Sequence, residues 1–170
     1  MKKIIVGLLL SSILCSCMRL CTNYEIYLIP KGFKGHVTVV YDQSGFPELT
    51  YEKGSRINLI PMTGILVTGS PRPKKWFIDT KYFFIDSFNN RTPLQIIPDT
   101  CEKFTPDNEV RNKLGIVFED YGICGNSDNK DLDYWAFYVS DYNSCAHLKE
   151  GNEFCDKIKK FIISNKESSQ

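Results

Sequence analysis

Residues 28–41 read LIPKGFKGHVTVVY, a segment that contains a strand end, a turn and a second strand. Pro30 ends an apolar run, and the glycines at 32 and 35 supply the positive φ angles that tight turns need. From His36 to Tyr41 apolar and polar side chains alternate, which is the pattern of a β-strand with one buried face. The side chains expected on that buried face are Val37, Val39 and Tyr41.

Similar β-rich runs recur along the chain at intervals of about 8–12 residues, separated by Gly and Pro. The further strands predicted are 24–29, 56–60, 64–68, 76–79, 81–86, 93–97, 115–121 and 134–140. We therefore expect a mainly β fold, an antiparallel β-sandwich or barrel-like domain with one C-terminal α-helix. No internal repeat or second domain is visible in the sequence.

The C-terminal segment has a helical rather than a strand pattern. Its apolar residues recur at helical spacing: Phe154, Cys155, Ile158, Phe161 and Ile162. Asn152 is a suitable N-cap, so we predict a helix at about 152–164 that packs across a sheet. A second, short helix is predicted after Thr105-Pro106, with Thr as the N-cap and Pro in the first turn.

The N-terminus has the pattern of a secretory signal peptide. Two lysines precede an apolar run over residues 4–14, which is shorter than the roughly 20 residues needed to span a bilayer. Leu14-Cys15-Ser16-Cys17 resembles the bacterial lipobox, which implies removal of residues 1–16 and acylation of Cys17. Two alternatives are a cleaved signal without lipid and an uncleaved signal anchor.

The lipobox resemblance divides the chain into three parts. Residues 1–16 are the signal peptide, 17–23 a lipidated stem, and 24–165 a single β-rich domain that includes the helix. More than one acyl chain would anchor the mature protein firmly to a membrane. Met18 stands where an aspartate would be the usual inner-membrane retention signal, which favours the outer membrane or the cell surface.

The charge balance excludes one class of partner. Loss of Lys2 and Lys3 with the signal peptide leaves 19 Lys and Arg residues against 20 Asp and Glu residues. A nearly neutral chain without a basic stripe provides no field that attracts a phosphate backbone. We therefore expect no nucleic-acid partner.

The mature chain keeps six cysteines, and export to an oxidising compartment favours disulfides. They are Cys17, Cys21, Cys101, Cys124, Cys145 and Cys155. With Cys17 acylated, one of the other five is left over. We favour the pairs Cys101–Cys124 and Cys145–Cys155, which leaves Cys21 in the stem; pairing of Cys21 with Cys155 is the main alternative. A metal site is disfavoured because no close Cys-x-x-Cys pair occurs.

Four motifs resemble those of uncharacterised bacterial lipoproteins that share a β-rich domain of unknown function. The first is an Ile-Pro-x-Gly-aromatic-x-Gly turn that leads into an alternating strand, here residues 28–39. The others are Leu59–Leu66, Lys81–Asp86 and Arg91–Leu94. The resemblance covers roughly residues 24–97, and it implies a fold and a cellular location but no activity.

The sequence contains few residues that are typical of catalysis. His36 is interpreted as a half-exposed strand residue and His147 as a surface residue, and no nucleophile-elbow, zinc-protease or phosphate-loop motif occurs. The acidic segment 126–133 offers the clustered oxygens of a calcium loop, but Lys130 occupies a ligand position and a solvated hairpin loop is favoured. We therefore predict no catalytic residue, no metal ligand and no cofactor, although paired carboxylates of a hydrolase stay open.

The strands are rich in aromatic residues, and consecutive aromatics in a strand point to both faces of a sheet. The second face must be covered, for which the C-terminal helix is favoured, or else form a binding surface. The candidate binding residues are Trp76, Tyr82, Phe84 and Trp135. The sequence thus favours a lipid-anchored envelope protein that binds or scaffolds an unknown protein or envelope ligand. The alternatives are an immunity or inhibitor lipoprotein against an exported toxin, and a hydrolase of envelope polymers.

Overall fold

A computed structural model describes residues 25–73, 79–97, 113–124, 132–141 and 153–167. The strands are β1 Glu25–Pro30, β2 Gly35–Val40, β3 Thr50–Glu52, β4 Ser55–Leu59, β5 Ile65–Val67, β6 Thr80–Ile85, β7 Arg91–Leu94, β8 Gly115–Cys124 and β9 Leu132–Ser140. They are followed by one helix, α1, at Glu153–Glu167.

The strands form two mixed sheets. Sheet A has the strand order β3-β4-β1-β6-β7, and sheet B has the order β5-β2-β9-β8. The predicted class, a mainly β sandwich-like fold with a C-terminal helix, is confirmed. Most strand positions agree with the prediction, but the short strand β3 was missed and β7 spans Arg91–Leu94 rather than 93–97. Of the predicted strand 76–79, residues 76–78 lie outside the described residues and Asp79 is not in a strand.

The pairing within the sheets is mixed rather than wholly antiparallel. Strand β1 runs parallel to both of its neighbours, β4 and β6, and β2 runs parallel to β5. The reason is that β1 and β2 lie in different sheets, so the chain returns to sheet A through a crossover and enters it in the same direction. Side chains alternate along a strand in the same way in parallel and antiparallel pairs. The sequence pattern therefore could not reveal the direction in which neighbouring strands run.

The turn at residues 31–34 carries the chain from sheet A to sheet B. The Phe33 backbone N–H donates to the Pro30 carbonyl over 3.0 Å, and the Phe33 ring is buried. Gly32 and Gly35 have φ angles of 88° and 124°, which only glycine adopts at little cost. The predicted role of these two glycines is therefore confirmed.

The main core lies between the two sheets. Tyr27 stacks on Tyr82 with ring centroids 5.0 Å apart, and both rings meet Phe137 edge-on at 5.3 and 4.9 Å. The remaining buried members are Ile29, Phe33, Val37, Val39, Tyr41, Ile60, Ile116 and Val139. Val37, Val39 and Tyr41 thus face the core as the alternation predicted.

Helix α1 covers the outer face of sheet B. Ile158 and Ile162 are buried against a second cluster that includes Val40, Tyr134 and Ala136. The C-terminal helix and its packing across a sheet are therefore confirmed, and the helix continues to Glu167. A 15-residue helix is marginal alone in water, so this apolar contact accounts for much of its stability.

A disulfide joins Cys124, at the end of β8, to Cys155, in the first turn of α1. The favoured pairs Cys101–Cys124 and Cys145–Cys155 were wrong, and so was the alternative of Cys21 with Cys155. Sequence spacing favoured partners that are close along the chain, whereas the fold brings the end of edge strand β8 to the start of the helix. Cys21, Cys101 and Cys145 lie outside the described residues, as do the predicted helix near Thr105 and residues 126–131 of the acidic segment.

We expect loss of this disulfide to destabilise the domain. The two cysteines are 31 residues apart, and a loop of that length stabilises by about 3–4 kcal/mol in the chain-entropy model. Urea unfolding of Cys124→Ala, Cys155→Ala and the double variant should give three similar losses, because each variant removes the same bond.

The Cys145→Ala variant is the matched control for this experiment. It should leave the Cys124–Cys155 peptide pair intact in a non-reducing digest. Recovery of a Cys145–Cys155 peptide from the native protein would contradict the pairing.

Candidate functional site

The candidate binding residues do not form an exposed surface in the described part of the chain. Tyr82 lies in the main core, while Phe84 and Trp135 are partly buried and pack against it. Trp76 lies outside the described residues. The three described candidates therefore help to join the two sheets.

A cluster of polar side chains is buried at the end of the sandwich where β1 begins. Arg56 Nε donates to Glu25 Oε1 over 2.7 Å, and Asn58 Nδ2 donates to Glu25 Oε2 over 2.7 Å. Arg56 Nη1 also donates to the Pro71 carbonyl over 2.6 Å. We call Glu25, Arg56 and Asn58 the buried polar cluster.

Two tyrosines connect this cluster to the core. The Arg56 guanidinium lies 5.4 Å from the centroid of the Tyr41 ring, a cation–π contact, and the Tyr41 and Tyr27 hydroxyls are 3.4 Å apart. Burial raises the pKa of Tyr41 to about 12 and that of Tyr27 well above 10.0. Both phenols therefore keep their protons at neutral pH and act as hydrogen-bonding groups rather than as bases.

Burial also has the largest effect on the pKa of the carboxylate in the buried polar cluster. It raises the pKa of Glu25 above 4.5, and this outweighs the opposing effects of the Arg56 charge and of the Asn58 and Arg56 hydrogen bonds. Arg56 Nη2 and Asn58 Oδ1 are buried without a hydrogen-bond partner. The buried polar cluster is thus costly to desolvate, and its geometry suits the alignment of strands better than a reaction.

His36 lies on the outer face of sheet B and is partly buried. Its ring stacks on Tyr138 with centroids 4.5 Å apart. Burial, and secondly the charge of Lys157 on helix α1, lower the pKa of His36 to about 4. The imidazole is therefore neutral at physiological pH. The strand placement predicted for His36 agrees with this position, and His147 lies outside the described residues.

Sheet A is curled so that its two edge strands approach each other. Arg91 Nη2, on β7, donates to Glu52 Oε2, on β3, over 2.6 Å. In a flat five-stranded sheet these edges would be separated by four strand spacings, roughly 19 Å. In the strand register, Glu52 and Arg91 each lie opposite a residue on the face of sheet A that points away from sheet B. The two edges therefore meet on that outer side of sheet A. The curl helps to explain why Leu28 and Ile57 are buried on that side.

Three large apolar side chains are exposed where strands of sheet A end. Phe88 is 83% exposed, Met62 66% and Leu59 58%. Leu59 ends β4, Met62 follows it in the next turn, and Phe88 lies in the β6–β7 hairpin. Because β4, β1 and β6 are adjacent and parallel, all three side chains lie at the same end of the sheet. We call Leu59, Met62 and Phe88 the exposed tip.

The hairpin that presents Phe88 is fixed by its own hydrogen bonds. The Asp86 carboxylate accepts from the backbone N–H groups of Phe88 and Asn90, each over 2.9 Å, and from Asn90 Nδ2 over 3.0 Å. These bonds, led by that from the Asn90 side chain, lower the pKa of Asp86. A turn that is ordered in advance binds a partner at lower entropic cost.

Sequence reasoning missed the exposed tip because it treated residues 87–91 only as a hairpin connection. The signal that could have found it is the type of residue in each turn. Hairpin turns favour Gly, Asn, Asp and Ser, so the phenylalanine at 88 in Ser-Phe-Asn-Asn has no role in turn formation. The same holds for the methionine at 62 in Pro-Met-Thr-Gly.

None of the helices in the described part of the chain is long and apolar enough to span a bilayer. Within the same ranges, no group of three or more His, Cys, Asp and Glu side chains is placed to hold a metal ion.

These features define a small β-sandwich of two mixed sheets, capped on one side by a disulfide-linked helix and carrying an exposed apolar tip. The chain belongs to a family of unknown function, DUF6843, whose match spans residues 21–148. The predicted membership of an uncharacterised family is thereby confirmed.

One solved structure is similar in fold. It is the crystal structure of a Bacillus anthracis protein described as a "Putative Lipoprotein", with a TM-score of 0.56 and 19% sequence identity. The similarity covers 84% of this chain and 92% of that chain. At this identity the likeness establishes the fold alone. No curated protein is significantly similar to the chain.

The buried polar cluster generates a stability prediction. Arg56→Met should lower the free energy of unfolding at pH 7 by about 3–5 kcal/mol, because it leaves the Glu25 carboxylate buried without its cation. The loss should shrink as the pH falls towards 4.5. A carboxyl group whose pKa is raised by folding contributes stability at low pH, and this contribution is lost as the pH rises through its folded pKa.

Arg91→Met is the matched control, since it breaks the ion pair with Glu52 at a largely exposed site. It should cost at most about 1 kcal/mol. Equal losses in the two variants, measured by urea unfolding, would show that burial of the cluster carries no special cost.

His36 generates a prediction about pH. A base whose pKa falls from 6.5 to about 4 on folding stabilises the protein above pH 6.5, and this contribution is lost as the pH falls towards 4. Relative to His36→Phe, which keeps the stack on Tyr138, the wild-type protein should lose stability over that interval. His147→Gln should keep the wild-type profile in the same thermal unfolding series. Parallel profiles for wild type and His36→Phe would refute the assignment.

Proposed function

We propose that the protein is a lipid-anchored component of the bacterial cell envelope. Acyl chains on Cys17 hold the β-sandwich at a membrane surface, where the domain binds or scaffolds a ligand without catalysis. The outer membrane or the cell surface is the favoured location, because Met18 rather than an aspartate follows the anchor.

The observation that carries this proposal is the short distance along the chain between the lipobox and the folded domain. Strand β1 begins at Glu25, and only residues 18–24 separate it from Cys17. A fully extended stem of this length spans at most about 28 Å. The central strand of sheet A is therefore tied almost directly to the cysteine that the lipobox pattern selects for acylation.

Two further observations support the proposal. The chain belongs to a family of unknown function, and it shares its fold with a Bacillus anthracis protein described as a "Putative Lipoprotein". The exposed tip supports a binding role, because large apolar side chains fixed in ordered turns are typical of contact surfaces.

We expect Cys17→Ala to abolish anchoring through acyl chains. In a fractionation of intact cells, the wild-type protein should be recovered with the membranes and released only by detergent. Mass analysis of the purified mature protein should show an acylated N-terminal cysteine at position 17. Cys17→Ala should lack this modification and leave the detergent-released fraction.

Cys15→Ala and Cys21→Ala are the matched controls, because each removes a neighbouring thiol outside the lipidation position. Both should keep the wild-type distribution and the modified Cys17. An unmodified thiol at Cys17 in the native protein would contradict the proposal, as would loss of acylation on replacing Cys21 alone.

A further inference from the structure

We propose that the buried polar cluster binds one ordered water molecule inside the sandwich. The water accepts a hydrogen bond from Arg56 Nη2 and donates one to Asn58 Oδ1. Its site lies between the two sheets, at the end where β1 begins. The inference depends neither on the membrane anchor nor on the exposed tip, so it stands whether or not Cys17 is acylated.

The first step concerns the two atoms that hold the water. Arg56 is 8% exposed and Asn58 0%. Arg56 donates to Glu25 through Nε and to the Pro71 carbonyl through Nη1, while Asn58 donates to Glu25 through Nδ2. The remaining donor, Nη2, and the remaining acceptor, Oδ1, are buried and have no hydrogen-bond partner among the described residues. Buried polar groups of folded proteins are, with few exceptions, hydrogen-bonded, so each of these atoms calls for a partner.

The second step concerns the position of these atoms relative to each other. Arg56 and Asn58 are two residues apart on β4, so their side chains project from the same face of sheet A. Both side chains donate to one carboxylate, since Glu25 Oε1 and Oε2 each accept over 2.7 Å. The unpaired donor and the unpaired acceptor therefore belong to groups that meet at Glu25, in the same small region between the sheets.

Tyr41 adds a further polar group to this region. The Arg56 guanidinium carbon lies 5.4 Å from the centroid of its ring. The Tyr41 hydroxyl is 3.4 Å from that of Tyr27, which is longer than the range of about 2.5–3.0 Å for such a hydrogen bond. The hydroxyl of Tyr41 therefore keeps hydrogen-bonding capacity. A buried water needs two to four polar partners, and this region supplies them.

The chemistry of the two unpaired atoms selects water as the occupant. A water molecule both accepts and donates hydrogen bonds, as Arg56 Nη2 and Asn58 Oδ1 require. An anion would accept from Arg56, but it could not donate to Asn58 and would approach the Glu25 carboxylate. A metal cation could not accept from Arg56 and would be repelled by the guanidinium. The site therefore takes a small neutral molecule that is both donor and acceptor.

The water completes the hydrogen bonding of the buried polar cluster. A buried polar network that is partly satisfied is costly, whereas a fully satisfied one favours a single arrangement of its members. Glu25 lies on β1, and Arg56 and Asn58 lie on β4. The water thus strengthens a connection between these two parallel strands.

The test is nuclear magnetic resonance of the full mature protein, solubilised in detergent. Nuclear Overhauser contacts are measured from water to the assigned guanidinium protons of Arg56 and amide protons of Asn58. The variant Asn58→Gln adds one methylene group, which lets its amide reach the position of the water, whose volume is about 30 Å³. The control Val139→Ile adds a methylene group to the apolar core, where Val139 is 0% exposed.

A second control removes another source of the same signal. The hydroxyl proton of Tyr41 exchanges with water and could relay a contact to Arg56. Tyr41→Phe lacks that proton and leaves both Arg56 Nη2 and Asn58 Oδ1 in place. Thermal unfolding checks that each variant is folded.

The wild-type protein, Val139→Ile and Tyr41→Phe should all show water contacts at Arg56 and Asn58, with the sign that marks a long-lived water. In Asn58→Gln the contact at Arg56 should weaken several-fold. A folded wild-type protein without these contacts would overturn the inference. So would full contacts in Asn58→Gln, or their loss in Tyr41→Phe, which would identify the hydroxyl as their source. If Asn58→Gln does not fold, the wild-type and Tyr41→Phe spectra decide between these outcomes.

Discussion

Three aromatic rings hold the two sheets together at the centre of the sandwich. Tyr27 on β1, Tyr82 on β6 and Phe137 on β9 lie within 5.3 Å of one another, measured between ring centroids. Stacked and edge-on rings of this kind stabilise beyond the area that they bury. The orientation of β1 follows from this contact: once Tyr27 faces sheet B, alternation directs Ile26 and Leu28 to the outer side. Both sides of sheet A are set by this packing.

The buried polar cluster bears on the register of neighbouring strands, which the apolar core does not specify. In a parallel pair the backbone hydrogen bonds are evenly spaced, so they specify the register weakly. Glu25 lies opposite Arg56, and its carboxylate also accepts from Asn58 two residues further on. A slip of one residue would turn Arg56 and Asn58 to the other face and leave Glu25 buried without partners. We infer that the cluster fixes the register of β1 against β4, at the cost of desolvating an ion pair.

The sequence predicted those features that depend on local periodicity. Alternation located β2 and showed which of its residues face the core, and helical spacing located α1 together with Ile158 and Ile162. It could not reveal the sheet to which a strand belongs or the direction of its neighbours, since β1 and β2 look alike and lie in different sheets. The pairing of Cys124 with Cys155 depends on that three-dimensional arrangement. The candidate site was missed for a related reason. Aromatic residues such as Tyr82 were the predicted binding residues, but whether such a residue is buried depends on the opposite sheet, which the sequence pattern does not show.

The two outer faces of the sandwich are covered in different ways, and this difference bears on where the protein acts. Sheet B requires a separate helix, held by a disulfide, to bury Val40 and Tyr134. Sheet A curls until Arg91 meets Glu52, and Leu28 is buried on its outer side.

In the β6–β7 hairpin that carries Phe88, the hydrogen bonds of Asp86 and Asn90 form the turn. This turn therefore needs no apolar side chain in order to fold. A polar residue at 88 would serve the fold equally well and would avoid exposing an aromatic ring to water. The fold does not require an aromatic ring at this position, and the ring is left accessible for contact with something outside the chain.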